Sequence, residues 1–369
     1  MKKIAIVLNS SWQAYNFRLN LARTLKENEY EIIIIAPYDA KYSELLKKEF
    51  IYYDINIDPK GINPLHDFKT MLSMYKLYKT IKPNMILNFT IKPNIYSSLV
   101  AGVLKIPVVS NISGLGTIFI KQSLITKIAK LLYKVALGFN TKVFFQNNDD
   151  KNLFVINNLI SEIKTDLLPG SGVDLNKFVP VKKEKNDVLT FLLIARLLKD
   201  KGVIEYINAI KIIKSKYNNI EFQILGAVGV ANKTAIREDE LQNWIDSGLV
   251  NYLGISDNVQ NIIADSDCVI LPSYREGTPR SLLEACAMEK PIIATDVVGC
   301  KEVVDDGKNG FLCEVKNPQD LAKKIEMMIN LSYDERVRMG QAGREKIVKK
   351  FDEKIVINKY LESARVVFD

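Results

Sequence analysis

A single histidine, His66, stands in a chain of 369 residues. Metal centres built from several histidines are therefore excluded, and a histidine-based catalytic triad would rest on that one residue. The four cysteines, Cys268, Cys286, Cys300 and Cys313, lie 18, 14 and 13 residues apart with no C-x-x-C pair. That spacing argues against a zinc site and against a disulfide framework. No apolar run approaches the roughly 18 residues that a spanning helix needs. The run after Met1-Lys2-Lys3 is too short for a signal-peptide core and ends in Asn9-Ser10-Ser11, so it reads as a buried first strand. Internal repeats and low-complexity tracts are missing as well.

The most informative absence is of one sign of charge. Between Asp67 and Asp149 lie 81 residues with no acidic side chain and eleven lysines. The net charge of +8 divides unevenly: residues 1–180 carry 23 basic and 14 acidic side chains, a balance of +9, and the remainder a balance of −1. An anionic partner is expected on the first half, whether membrane surface, phosphate or nucleic acid. No aromatic-interleaved basic loop or nucleic-acid motif accompanies the charge, so nucleic acid is not expected.

What is present is a folded composition, 47% hydrophobic and 25% charged, of a length that suits two domains. Short β-branched runs alternate with helix-period segments. Strands are expected at Ile4–Leu8, Glu31–Ala36, Tyr52–Ile57, Met85–Phe89, Pro107–Asn111, Lys142–Gln146 and Thr165–Leu168. The pattern restarts at Leu189–Ala195, Glu221–Leu225, Val250–Leu253, Cys268–Leu271, Ile292–Thr295 and Gly310–Val315. Such alternation predicts right-handed β-α-β units and an α/β fold of two doubly wound Rossmann-like domains facing across a cleft. The expected boundaries are 1–172, 173–350 and a C-terminal helix, 351–369, packing back toward the N-terminal domain. The turn-rich, then charged stretch from Pro169 to Lys185 reads as a linker.

The richest segment follows Cys268–Leu271: Pro272-Ser273-Tyr274-Arg275-Glu276-Gly277-Thr278-Pro279-Arg280-Ser281-Leu282-Leu283-Glu284-Ala285. Thr278 is suited to cap a helix and Pro279 to be its first residue. Glu284 is expected two turns into that helix, on its core-directed side. The free amides and dipole of a helix start at a strand's carboxyl end make an anion- and hydroxyl-binding site. Two carboxylates there could accept ligand hydroxyls, or could be ordinary solvated glutamates. Asp265-Ser266-Asp267 has the letters of a metal motif but leads into a strand, and reads as a turn.

E-G-T-P-R-S-L-L-E-A resembles the E-x7-E segment of the retaining nucleotide-sugar glycosyltransferases of family four, which have the GT-B fold. Arg196 followed by Lys199-Asp200-Lys201-Gly202 is similar to the family's arginine and lysine pair. Val250–Gly254 and Thr295–Val304 resemble its base-binding strand and a following loop. The resemblance implies a UDP-sugar-dependent hexosyltransferase that needs neither metal nor cofactor. Arg196, Lys201 and Glu276 would be catalytic. Donor binding would fall to Gly254, Ile255, Gly277, Thr278, Pro279, Arg280, Ser281, Leu282 and Glu284, with Glu284 on the ribose. An arginine fork and a lysine point charge suit a leaving diphosphate.

Tyr15-Asn16-Phe17-Arg18 resembles a subgroup that extends glycans on polyprenyl diphosphates, the nearest being bacterial N-acetylgalactosaminyltransferases. The implied acceptor residues are Asn16, Arg18, Lys92 and Gly114. Arg18 could equally make a helix-surface ion pair. His66 is read as structural or surface. Residues 121–142 read as a basic amphipathic helix with Lys121, Lys127, Lys130 and Lys134 toward anionic lipid and Leu124, Ile128, Leu131, Leu132 and Val135 on another face. Alternatively that apolar face packs on the sheet. Partners are then a UDP-sugar, a polyprenyl-diphosphate-linked sugar and an anionic membrane, and the expected place is the cytoplasmic face of the membrane. Two rivals remain. A two-domain dehydrogenase would need G-x-G-x-x-G after a first strand, and the loops after Leu8 and Ala195 lack it. A basic membrane-binding protein would tolerate loss of Glu276 or Lys201.

Overall fold

The computed structural model describes residues 1–58, 63–114, 124–183 and 188–369. Two compact units emerge, one of Met1–Ser171 with Lys354–Asp369 and one of Gly172–Glu353.

The first unit holds β1 (Lys3–Val7), β2 (Glu31–Ala36), β3 (Ile51–Asp54), β4 (Met85–Phe89), β5 (Val108–Ile112), β6 (Lys142–Phe145) and β7 (Thr165–Leu167). All pair in parallel in the order β3-β2-β1-β4-β5-β6-β7. The central strands are buried on both faces, which is why they read as unbroken apolar runs. Strand order reverses between β1 and β4, and the carboxyl ends of such neighbours are where doubly wound sheets bind ligands. β3 is shorter than the Tyr52–Ile57 expected. Ile55 and Ile57 still enter the core, but beyond the last pairing at Asp54.

The second unit holds β8 (Leu189–Ile194), β9 (Ile220–Leu225), β10 (Asn251–Tyr252), β11 (Cys268–Leu271), β12 (Ile292–Thr295) and β13 (Gly310–Cys313), parallel in the order β10-β9-β8-β11-β12-β13. β10 shrinks to two residues, as an edge strand can. All four cysteines are buried and unbridged, and burial pushes the Cys286 and Cys313 thiols up to about 12.

The chain passes between the units at Ser171–Gly172, inside the expected linker, but the residues after that point pack into the second unit. Val173 and Phe178 are buried in the second unit's core, and Arg344 Nη1 donates to the Phe178 carbonyl at 3.1 Å. The Val173 amide donates to Phe351 at 2.9 Å, and the Glu353 amide donates back to Val173 at 3.1 Å. The last helix, Glu353–Phe368, then buries Val356, Ile357, Tyr360, Leu361 and Ala364 in the first unit's core.

Candidate active site

Three loops of the second unit follow the carboxyl ends of β8, β11 and β12. Arg196 comes two residues after β8, exposed, with no ion-pair partner among the described residues. The buried Leu197 and Leu198 anchor the chain before a single tight turn, Lys199–Lys201. Gly202 has φ 71°, and a Cβ there would strike the Pro272 carbonyl, so glycine lets this turn sit against the loop after β11. Two bonds lock that joint: the Tyr274 amide and Ser273 Oγ both donate to the Asp200 carbonyl, at 2.9 and 3.2 Å. Across it Lys201 Nζ bonds Glu276 Oε1, with side chains 22% and 14% exposed.

The loop after β12 fixes the other side. The Glu276 amide donates to Val298 at 3.2 Å. Gly299, φ 86°, lies so close to the Gly277 and Glu276 carbonyls that a Cβ would overlap both. The following helix is Arg280–Ala287, with Pro279 as cap and no side-chain capping bond. The expected Thr278 cap and Pro279 first turn are thus displaced by one residue, because proline's fixed φ serves a cap position as well as a first turn. Glu284 is the fifth helical residue, one turn in rather than two. The amides of Gly277 and Ser281 carry no hydrogen bond among the described residues.

Glu284 is buried and accepts from Arg280 Nε at 3.0 Å and Nη2 at 2.9 Å. Leu282 lies in the core with its amide on the Pro279 carbonyl, so it offers a ligand no free polar atom. The Gly254 carbonyl accepts the Gly226 amide at 2.8 Å, and Ile255 beside it is exposed. Sequence reasoning missed Tyr274. Its hydroxyl donates to Glu205 Oε1 at 2.7 Å, and burial with the Glu205 carboxylate pushes its pKa up. Asp267 is structural: its Oδ2 accepts from Lys183 Nζ at 2.7 Å and the Thr190 amide at 2.8 Å. Among the described residues, no three His, Cys, Asp or Glu side chains are grouped to hold a metal.

In the first unit, Arg18 is not on the surface. Its guanidinium lies 4.3 Å from the Phe89 ring centroid and Nη2 donates to Ser171 Oγ at 3.1 Å. The alternative of a helix-surface pair falls with that burial. Asn16 Nδ2 donates to the Trp12 carbonyl at 3.0 Å. Lys92 Nζ pairs with Asp67 Oδ1 at 2.5 Å, the side chains only 12% and 13% exposed. Gly114 lies two residues past β5 with φ 141°.

Thr90 went unnoticed in the sequence. It follows β4 with φ 72°, the one β-branched residue in the left-handed region among the described residues, where such a side chain is strained. Its Oγ1 is buried without a partner, as is Asn9 Oδ1 after the neighbouring β1. A π-helical turn, Pro93–Ser97, follows, a feature frequent at functional sites.

The same segments are shared with known proteins. Residues 175–346 match the family model for glycosyl transferases group 1, and residues 3–147 match glycosyl transferase 4-like. The chain belongs to the group 1 glycosyltransferases. It is 28% identical to the Campylobacter jejuni N,N'-diacetylbacillosaminyl-diphospho-undecaprenol alpha-1,3-N-acetylgalactosaminyltransferase, over 98% of this chain and 97% of the relative. It is 26% identical to the Escherichia coli UDP-Gal:alpha-D-GlcNAc-diphosphoundecaprenol alpha-1,3-galactosyltransferase, over 89% of this chain and 87% of that one. Among solved structures, Thermosynechococcus elongatus sucrose-phosphate synthase aligns with TM-score 0.81 at 15% identity, covering 100% of this chain and 99% of that one. Anabaena Alr3699/HepE in complex with UDP-glucose aligns with TM-score 0.78 at 17% identity, covering 99% and 100%. These show the fold, which is GT-B.

In this glycosyltransferase the basic segment forms the helix Leu124–Gly138; Lys121 lies outside the described residues. The packing face is Tyr133, Ala136 and Leu137. Of the residues read as one apolar face, Ile128, Leu131 and Val135 turn outward, with Phe139 just past the helix end, while Leu132 packs on the core and the Leu124 side chain lies outside the described residues. Lys127 and Lys134 are exposed beside them, while Lys130 Nζ reaches Asn157 Oδ1 at 3.0 Å. No helix among the described residues is long and apolar enough to cross a membrane.

Proposed function

We propose that this glycosyltransferase moves a sugar from a UDP-sugar to a sugar carried on undecaprenyl diphosphate, with retention at the anomeric carbon. The donor is read as UDP-N-acetylgalactosamine, on the whole-chain likeness to the Campylobacter jejuni enzyme. The observation that carries the reading is the joint at Gly202, where Lys201, on the loop that also carries the exposed Arg196, meets Glu276. The donor's C1–oxygen bond breaks and the acceptor hydroxyl bonds C1 from the same face. Its proton passes to the departing diphosphate oxygen. Arg196 and Lys201 steady the charge that develops on that diphosphate, so no metal is required. Glu276 holds Lys201 until the donor arrives and then accepts donor-sugar hydroxyls. Glu284, steadied by Arg280, receives the ribose hydroxyls, and the base lies over Gly254 and Ile255. Asn16, Arg18, Lys92 and Gly114 serve the acceptor side.

The acceptor is lipid-linked, and the chain binds the cytoplasmic membrane face peripherally. The support is the outward stripe Ile128, Leu131, Val135 and Phe139 beside Lys127 and Lys134, the pattern of an interfacial helix. The test is a panel of UDP-sugars against synthetic lipid-diphosphate sugars, with linkage read by NMR. An α-linked product from an α-linked donor is expected. A β-linked product would overturn retention, and transfer to soluble sugars alone would overturn the lipid acceptor.

A further inference from the structure

The amino ends of β11 and β12 border a cavity of about 530 Å3. Its wall includes Lys182 and Lys183 ahead of β8, Asp267 ahead of β11, Lys290 ahead of β12, and Asp334 and Arg336 from the first turn of the helix Tyr333–Lys350. The volume is that of a small-molecule site.

Lys290 is the unusual member. It is 6% exposed. Its Nζ donates to the Ala264 carbonyl at 2.7 Å and makes no ion pair among the described residues. The nearby carboxylate of Asp267 is already engaged by Lys183 Nζ at 2.7 Å and the Thr190 amide at 2.8 Å. Burial pushes the Lys290 amine down to about 8, with Lys183 adding to the effect and Asp267 and Asp265 opposing it. Glu289 and Arg336 also border the cavity. A buried cation without a carboxylate is costly, and an anion beside it relieves that cost. The helix Tyr333–Lys350 also turns its positive dipole end to this wall.

We propose that this cavity binds a phosphate-bearing anion, with Lys290 as its buried cation and Lys182, Lys183 and Arg336 around it. The site is separate from the donor loops: Asp267 precedes β11 and Glu276 follows it, and four strand residues span roughly 13 Å. The inference is independent of the proposed transfer reaction.

Calorimetric titration of the full chain with inorganic phosphate, and with glucose 1-phosphate as an ester, tests it. The runs are made at about pH 8.5 in two buffers of different ionisation enthalpy, since an anion that raises the Lys290 pKa must draw in roughly half a proton or more. The expected result is binding with proton uptake, weakened about tenfold or more by Lys290→Met and unchanged by Lys201→Ala. Tighter binding of the ester assigns the site to a phosphate ester, and tighter binding of phosphate assigns it to the free ion. If Lys290→Met does not fold, proton uptake by the unaltered chain decides. Binding without proton uptake overturns the proposal. So does binding lost in Lys201→Ala but kept in Lys290→Met, or no binding of either probe.

Discussion

At the carboxyl ends of the second domain's strands, charged side chains find one another: Lys201 meets Glu276, and Arg280 meets Glu284. The first domain is arranged differently. Asn9, His66, Asn88, Thr90, Asn94, Asn111 and Asn140 each bury a polar atom with no hydrogen-bond partner, against only Glu205 and Gln260 in the second, among the described residues. An unsatisfied buried polar atom costs about 1–3 kcal/mol unless water or ligand meets it. The second domain therefore satisfies its charged side chains in pairs. The first holds hydrogen-bonding capacity beyond what its own side chains use, three of the seven residues, Asn88, Thr90 and Asn94, lying at β4 and the turn after it. On the proposed function, donor recognition by charge and acceptor recognition by hydroxyl contacts would follow from that difference.

The sharpest way to break the comparison is at the Lys201–Glu276 pair. Lys201→Ala and Glu276→Ala should each lower the transfer rate by about a hundred- to a thousandfold, the scale of removing one charge-stabilising donor. Calorimetry should show a folded protein in both cases. Initial rates within a few-fold of the unaltered enzyme would mean that the pair is structural.

A second test asks whether the first domain's buried Lys92–Asp67 ion pair belongs to function or fold. Lys92 and Asp67 are both largely buried, so Lys92→Met alone should cost about 3 kcal/mol in urea unfolding by stranding the carboxylate. Asp67→Asn combined with Lys92→Met should recover most of it. If transfer returns together with stability, Lys92 holds the fold and not the acceptor. Thr90 gives a smaller effect of opposite sign. Thr90→Gly frees the positive φ and should stabilise by about 1 kcal/mol net, while acceptor KM rises if the strained hydroxyl contacts substrate. An unchanged KM would remove Thr90 from the site.

Legibility followed the same division. The strands were readable because parallel strands buried on both faces show as runs such as Glu31–Ala36 and Cys268–Leu271. The Glu276–Glu284 segment was readable because its spacing is local. Lys92 with Asp67 was not, since the partners lie 25 residues apart. Nor was Thr90, because a left-handed backbone is ordinarily announced by glycine or asparagine. The helix Leu124–Gly138 defeated periodicity for another reason: apolar residues occupy most of its circumference, so spacing could not say which side packs.

That helix supplies the smallest effects and the finest distinction. If lysines alone hold the enzyme to anionic vesicles, Lys127→Gln and Lys134→Gln should each weaken flotation by about 1 kcal/mol at low salt. That loss should vanish at high salt, where the Debye length shrinks to a few ångströms. The outward stripe argues for a second, apolar contribution. Leu131 is 62% exposed at its centre, and burying a leucine in the lipid interface is insensitive to screening. Leu131→Ser should therefore weaken flotation equally at low and high salt. Vesicle binding that loses all dependence on Leu131 while keeping its dependence on the lysines would make the stripe an ordinary solvent-facing surface, and would leave the first domain's charge as its only claim on the membrane.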